Sequence, residues 1–396
     1  MERRVRGRLL YSDRAQGRAV VAVLPKLKLW VLACLFTLGV AAVIVGVLEL
    51  ALRMLALRGA DESRDHVMMT RTLSIVYRPN HRGVLWNIEF ATNRLGIRDD
   101  EVETGFGGGE IRVLSLGDSI AFGLGIEASA HYSQLIEGQL TSESGRQVRV
   151  INGAGKGYSP SSYAVFLREE GLILQPDLVV IEIELNNDVT DEALLGIRFL
   201  AGDPMPVAVT GGRYVVSWDG NLLSTVSRGP YLYERTYLCA RLVRGWLNLL
   251  YAWRPNEPFA ETEGVTYYTL GFDRAALTEE RIESGWTQMY DVLEATHDFL
   301  QQHGVGFLLV VMPSRYMYDD RTPQHRDFAR ALTERAVQMA AERSLPTLDM
   351  SASIGAGGGA ALYFDFAHLT EQGNRVVADA LTPEIAAILG ITEKSP

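Results

Sequence analysis

Ile111-Arg112-Val113-Leu114-Ser115-Leu116-Gly117-Asp118-Ser119 is the stretch that decides the fold. Its first six residues form an apolar run of strand length, a glycine closes it, and a helical pattern starts at about Ile120. The succession recurs: a strand at Val148 to Ile151, a helix from Ser161, a strand at Leu178 to Ile183. After an interruption it resumes with a helix in which Ile282, Trp286, Met289, Tyr290, Leu293 and Leu300 share one face, ended by Gly304. A strand at Phe307 to Val311, a helix around Ala329 to Ala341, a short strand near Leu348 and a helix from Thr370 complete the pattern. Such alternation predicts an α/β fold with a parallel, doubly wound sheet. Residues just past the carboxyl end of a strand in that sheet face the crevice where ligands bind, so Ser119 is placed for attack. A helix starting there would also aim free N–H groups and its positive dipole end at an oxyanion.

Outward from this core, the 396 residues are 47% hydrophobic and 22% charged, the composition of a globular chain with one or two buried cores. The net charge of −10 is unevenly spread. Residues 1–28 carry eight bases (Arg3, Arg4, Arg6, Arg8, Arg14, Arg18, Lys26, Lys28) against Glu2 and Asp13, which makes that segment +6 and the remainder −16. A body this acidic does not supply the clustered cations that a phosphate backbone requires, so nucleic acid is excluded as a partner. The two cysteines, Cys34 and Cys239, make neither a disulfide framework nor a cysteine zinc site, and no metal or cofactor is expected.

Leu29 to Leu48 are twenty residues without a charge, and at about 1.5 Å per residue a helix of that length spans roughly 30 Å of hydrocarbon. We read 29–52 as a single transmembrane anchor. The basic excess precedes it, so the positive-inside rule puts 1–28 in the cytoplasm and the rest outside, with the protein in the cell membrane. Val31-Leu32-Ala33-Cys34 has the look of a lipoprotein box, but too little apolar chain precedes Cys34 to act as a signal core. Residues 55–110 read as a linker and small β add-on, with extended stretches at Leu85 to Phe90 and Asn93 to Arg98 and a glycine cluster at Gly105 to Gly109.

A serine nucleophile needs a base, and the base an orienting carboxylate. Of seven histidines only His368 has an aspartate three positions earlier, Asp365, in a loop that leads into the last helix. The others (His66, His81, His131, His297, His303, His325) read as surface residues.

At this point the sequence resembles the SGNH, or GDSL-type, hydrolases, whose four blocks follow the order serine, glycine, asparagine, Asp-x-x-His. The blocks lie within residues 111–390, about seventy per cent of the chain: Leu116-Gly117-Asp118-Ser119, then Asn152-Gly153-Ala154-Gly155-Lys156-Gly157, then Glu184-Leu185-Asn186-Asn187-Asp188, then Asp365-Phe366-Ala367-His368. The resemblance implies an SGNH/flavodoxin-like three-layer fold in 111–390, with Ser119 as nucleophile, His368 as base and Asp365 as its orienting acid. It also implies an oxyanion hole of the Ser119 and Gly157 N–H groups and the Asn187 amide. Leu185 departs from the family, standing where its third block has glycine, and is expected as a bulkier wall that narrows the pocket or shifts Asn187.

Two further features stand outside that pattern. Glu182 and Glu184 share a strand face in a sheet expected to be buried on both sides, as a carboxylate pair toward substrate or as acids covered by a charged helix. Residues 189–276 interrupt the α/β succession with many aromatics, and Leu238 to Trp253 fit an amphipathic helix. Leaving the sheet after Asn187, this insertion is expected to wall the site, with Trp218 and Tyr268 touching substrate, although a helix packed on the core is the blander alternative. The expected activity is that of a serine esterase or O-acyltransferase on an extracytoplasmic glycan or lipid ester. A transferase would have a membrane acyl-donor protein as partner; the rival from another class is a non-catalytic glycan-binding or envelope-assembly protein.

Overall fold

Five apolar runs become the five strands of one all-parallel sheet: β5 (Ile111–Leu116), β6 (Val148–Asn152), β7 (Leu178–Glu184), β14 (Gly306–Met312) and β15 (Thr347–Asp349). The structure is a computed structural model. It describes residues 29–51 and 54; 66–210 apart from 69, 71, 74–75, 86–87, 105–108 and 186; strands at 214–216, 222–224, 261–262 and 265–266; and 278–391 apart from 322 and 366. Strand order is β6-β5-β7-β14-β15, so the winding reverses between β5 and β7. A doubly wound sheet opens its ligand crevice at that reversal. Ser119 leaves β5 there and Asn187 leaves β7.

Side chains alternate across the sheet and divide the core in two. Val179, Ile181 and Ile183 of β7 pack with Tyr163 of α4 (Pro160–Glu169), Trp286 and Tyr290 of α6 (Glu279–Gln302) and Leu332 and Ala336 of α7 (Pro323–Glu342). On the opposite face Leu178 and Val180 pack with Ile136 and Leu140 of α3 (Tyr132–Ser144) and Val377 and Leu381 of α9 (Glu371–Ile388). This is a three-layer α/β sandwich. Trp286 and Tyr290 are fully buried, and truncating such an aromatic to alanine costs about 3–5 kcal/mol. Helix starts follow local chemistry: Thr278 caps α6 by accepting from Arg281 N (3.3 Å), Thr370 caps α9 by accepting from Gly373 N (3.2 Å), and Pro160 opens α4.

Helix α1, Leu29–Ala51, has a mean hydropathy of 2.8 and is long and apolar enough to cross a membrane; it belongs to a unit of its own. The basic tail, residues 1–28, lies outside the described residues. The segment before β5 holds two antiparallel pairs: β1 (Val67–Met68) with β2 (Val76–Tyr77), and β3 (Arg82–Leu85) with β4 (Ile88–Ala91).

Three expectations need correction. The helix expected from Ile120 is a single turn, α2 (Ser119–Phe122), stopped by Gly123 in the left-handed region; α3 starts only at Tyr132. Four residues build little macrodipole, so the oxyanion argument rests on individual N–H groups. The described start of the 189–276 insertion is scaffold: α5 (Asp188–Leu194) packs on α6, and β8 (Gly196–Phe199) pairs with β9 (Pro206–Thr210), whose Ala208 and Val209 are buried. Short pairs β10 (Tyr214–Val216) with β11 (Leu222–Ser224), and β12 (Glu261–Thr262) with β13 (Val265–Thr266), follow. Trp218, Tyr268 and the helix expected over Leu238 to Trp253 lie outside the described residues. Finally, His66 and His131 are not surface residues: they are 7% and 2% exposed.

Candidate active site

The turn after β5 is built by its own aspartate. Asp118 Oδ1 accepts from Ile120 N at 2.9 Å, capping α2 and leaving Ser119 as its first residue. From the far end of the chain, a loop closed by an isolated bridge (Tyr363 with Leu369), just before α9, brings Asp365 and His368 over this turn. Tyr363 Oη donates to Pro313 O (2.6 Å), which ties the loop to the end of β14.

Ser119 Oγ lies 2.9 Å from His368 Nε2, and His368 Nδ1 lies 2.7 Å from Asp365 Oδ2. Asp365 Oδ1 accepts from Ala367 N (2.9 Å) and His368 N (2.7 Å), so the carboxylate is held from its own loop. Burial opposes its ionisation, but the hydrogen bond and charge of His368 and these two amides prevail and set the carboxyl below its ordinary range. An ionised Asp365 then fixes Nδ1 as the protonated nitrogen and leaves Nε2 free to take a proton from Ser119. The His368 ring is covered by Phe364, stacked at 5.8 Å.

The second block docks onto the first through its backbone. Gly153 N donates to Ser115 O (2.9 Å) and Gly155 N to Gly117 O (3.1 Å), which ties the start of the loop that carries Gly157 to the end of β5 and Gly117. Of the three glycines, Gly157 alone combines a φ of +76° with open space where a Cβ would stand; a Cβ at Gly153 or Gly155 would press on Leu114 or on the Tyr158 ring. Gly157 is therefore glycine for its left-handed backbone, and an approaching ligand meets no side chain there.

Asn187, the residue before α5, turns its amide toward Asp118 and donates from Nδ2 to Asp191 Oδ2 at 3.3 Å. Burial pushes the Asp118 carboxyl up, against the Ile120 N–H, His368, the Asn187 amide and Ser119. Leu185 differs from expectation: it is 4% exposed and belongs to the core with Val189, so the missing glycine is filled inward and not as a pocket wall.

Glu182 and Glu184 are covered and do not form an exposed carboxylate pair. Each is 2% exposed. A Cβ on Gly117 would come within 2.8 Å of Glu182 Oε2, which places Glu182 directly beneath the Ser119 turn. Burial, with Asp118 and Glu184 adding repulsion, raises Glu182 well above the ordinary carboxylate range. Burial thus disfavours its ionised form.

Among the described residues no group of three or more histidine, cysteine or acidic side chains is arranged to hold a metal ion. Sequence reasoning missed Arg98 and Asp99, whose side chains reach both loops of this site; Gly96 followed by an Arg-Asp pair was the available signal.

No protein-family model matches the sequence, and no curated protein matches it significantly. Solved structures do. Over 69% of the chain it is similar to the acetylxylan esterase Axe2 from Geobacillus stearothermophilus, with 16% identity, a TM-score of 0.36 and 94% of that chain covered. The acetyl xylan esterase AlAXEase is similar over 69% of this chain and 100% of its own, with 16% identity and a TM-score of 0.40. A protein of the G-D-S-L family from Desulfitobacterium hafniense, described as lipolytic, matches with 11% identity and a TM-score of 0.36 over 69% of this chain and 98% of its own. These are likenesses of fold.

Proposed function

We propose that the chain is a membrane-anchored serine esterase or O-acyltransferase of SGNH type, working on an acylated glycan or lipid outside the cytoplasm. The observation that carries this reading is the continuous chain Ser119 Oγ, His368 Nε2, His368 Nδ1, Asp365 Oδ2, with links of 2.9 and 2.7 Å. Three residues separated by up to 249 positions meet in the order a nucleophile, base and orienting acid require.

In the reaction, Ser119 Oγ attacks the acyl carbonyl while its proton passes to His368 Nε2. The oxyanion so formed is held by the N–H groups of Ser119 and Gly157 and by the Asn187 amide, which must turn one N–H away from Asp118 or Asp191 to reach it, each donor being worth about 3 kcal/mol of barrier. His368 returns the proton to the leaving alkoxide, an alcohol departs, and an acyl ester remains on Ser119. Water, or the hydroxyl of an acceptor, then gives its proton to His368 and attacks that ester, releasing acid or a new ester and restoring the serine. Hydrolysis and transfer share every protein group in this sequence; the acceptor alone distinguishes them. O-acetylated polysaccharide is the first substrate to try, and for transfer a membrane acyl-donor protein would load Ser119. The anchor reading rests on the length and apolarity of Leu29–Ala51, and the outward orientation on the bases of residues 1–28.

The test is covalent labelling and turnover. A fluorophosphonate should label the wild-type chain but not Ser119→Ala. Ser119→Ala and His368→Ala should each abolish nearly all turnover of a short-chain acyl ester, with the double variant little worse than either. Labelling that survives Ser119→Ala discards the nucleophile; absence of both labelling and turnover in wild type leaves the non-catalytic binding protein.

A further inference from the structure

Between β4 and β5 the chain makes a turn whose two charged side chains reach the active-site loops from behind. Asn93 builds it: its Oδ1 accepts from Leu95 N (2.9 Å) and its Nδ2 donates to Asp100 O (3.0 Å). Gly96 sits at a φ of +77°, where a Cβ would collide with Tyr77 O at 2.4 Å. The turn thus has one conformation, and it delivers Arg98 and Asp99 side by side.

Arg98 is 7% exposed and spends its fork on the nucleophile turn. Nη1 donates to Phe122 O (3.1 Å) and Gly123 O (2.5 Å), and Nη2 to Ile126 O (2.6 Å). These are carbonyls at the end of α2 and in the turn beyond it, where Gly123 O also accepts from Ile126 N (3.2 Å). The guanidinium also lies over the Phe122 ring, 5.4 Å from its centre. Asp99 turns to the other loop. Its Oδ2 accepts from Asn152 N (2.7 Å), and its Oδ1 pairs with Arg149 Nη2 (2.5 Å). Asn152 ends β6 and starts the loop that carries Gly157.

We propose that Arg98 and Asp99 are positioning residues of the active site: adjacent side chains, from the segment joining the anchor to the sheet, that set the spacing between the Ser119 and Gly157 backbone donors. Neither touches the triad, and each acts through the loop it holds. The proposal rests on the esterase reading above. Its physical basis is that oxyanion donors act only when preorganised, and a displacement of about 1 Å at such a site costs roughly a hundredfold in rate. Lysine cannot replace Arg98, because one ammonium does not span the Phe122, Gly123 and Ile126 carbonyls as a planar fork does.

The test uses the full-length chain in detergent, with 4-nitrophenyl acetate turnover, the rate of fluorophosphonate labelling of Ser119, and the melting temperature. Arg98→Ala and Arg98→Lys should lower kcat and the labelling rate about ten- to hundredfold while KM stays within about threefold of wild type. Millimolar methylguanidinium should restore part of the kcat of Arg98→Ala and none of that of Arg98→Lys, whose side chain fills the space. Asp99→Asn, which keeps an oxygen for Asn152 N, should lose less than Asp99→Ala, and this pair decides the matter should Arg98→Ala not fold. A kcat for Arg98→Ala within twofold of wild type overturns the inference. So does a loss that methylguanidinium does not restore and that follows the fall in melting temperature across the variants. Turnover by wild type that Ser119→Ala abolishes keeps the esterase reading standing in either case; wild type without Ser119-dependent turnover overturns both.

Discussion

Asp99 offers a stability measurement independent of catalysis. Its side chain is 2% exposed beside Arg149. Burial raises its carboxyl to about 6 from 3.8, with Glu137 adding to the rise and Arg149 and the N–H groups of Asn152 and Asp100 opposing it. A carboxyl harder to ionise in the folded than in the unfolded chain binds its proton more tightly when folded. Its contribution to stability is fully present below about pH 4 and is lost as pH rises through 6. The difference between about 6 and 3.8 amounts to roughly 3 kcal/mol at about 1.4 kcal/mol per pH unit. Asp99→Asn does not titrate, so its stability relative to wild type should improve by that amount between pH 4 and 7.5. Interactions that both side chains make cancel in the comparison, leaving the proton linkage. Urea unfolding of both proteins at pH 4, 5, 6 and 7.5, followed by tryptophan fluorescence, measures it. A difference constant to within about 0.5 kcal/mol across that range, or one that grows in the wild type's favour with pH, refutes the reasoning. The expected pairing of better relative stability with a lower kcat would mark Asp99 as a residue kept for geometry at a cost in folding free energy.

Other outcomes test separate parts of the structure. Gly157→Ala places a Cβ on a φ of +76°, so it should destabilise the chain by about 1–2 kcal/mol and lower kcat by tenfold or more; wild-type kcat would remove Gly157 from the oxyanion hole. A reporter active only outside the cytoplasm should be active at the C-terminus and silent when fused before Lys26, and the reverse pattern would place the body inside. Substituting Trp218 or Tyr268 should raise KM for a large acylated glycan and spare 4-nitrophenyl acetate; equal losses on both with a lowered melting temperature would make these residues scaffold.

The parts legible in the sequence are those whose signal is local. Each core strand is a short apolar run, because a parallel sheet covered on both faces leaves few polar positions, and Asp118-Ser119 and Asp365 to His368 carry their chemistry within a few residues. What escaped depends on distance along the chain. Arg98 meets carbonyls 24 to 28 positions away and Asp99 an amide 53 away, so nothing around them marks their burial. The four-residue α2 was hidden differently: Gly123 and Gly125 follow Phe122, yet the apolar residues Ile120, Ala121, Phe122, Leu124 and Ile126 look like a helix that continues, and only the left-handed backbone at Gly123 ends it. Histidine burial is equally non-local. His131 stands just before α3 and places its ring beside Ile120 O (3.3 Å) and near Arg98; burial first, then the Arg98 charge, lowers it to about 3, so it stays neutral near neutral pH. Glu182 and Glu184 show the limit of reading a strand face. Charge at alternate positions signals solvent in an antiparallel sheet, but β7 lies between β5 and β14 with helices over both faces, so the acids turn inward and burial raises the Glu182 carboxyl. A carboxyl under Gly117 whose ionisation burial opposes weakens the negative field behind the Ser119 turn. An oxyanion at Ser119 would then meet less opposing charge from the sheet than an ionised Glu182 would present.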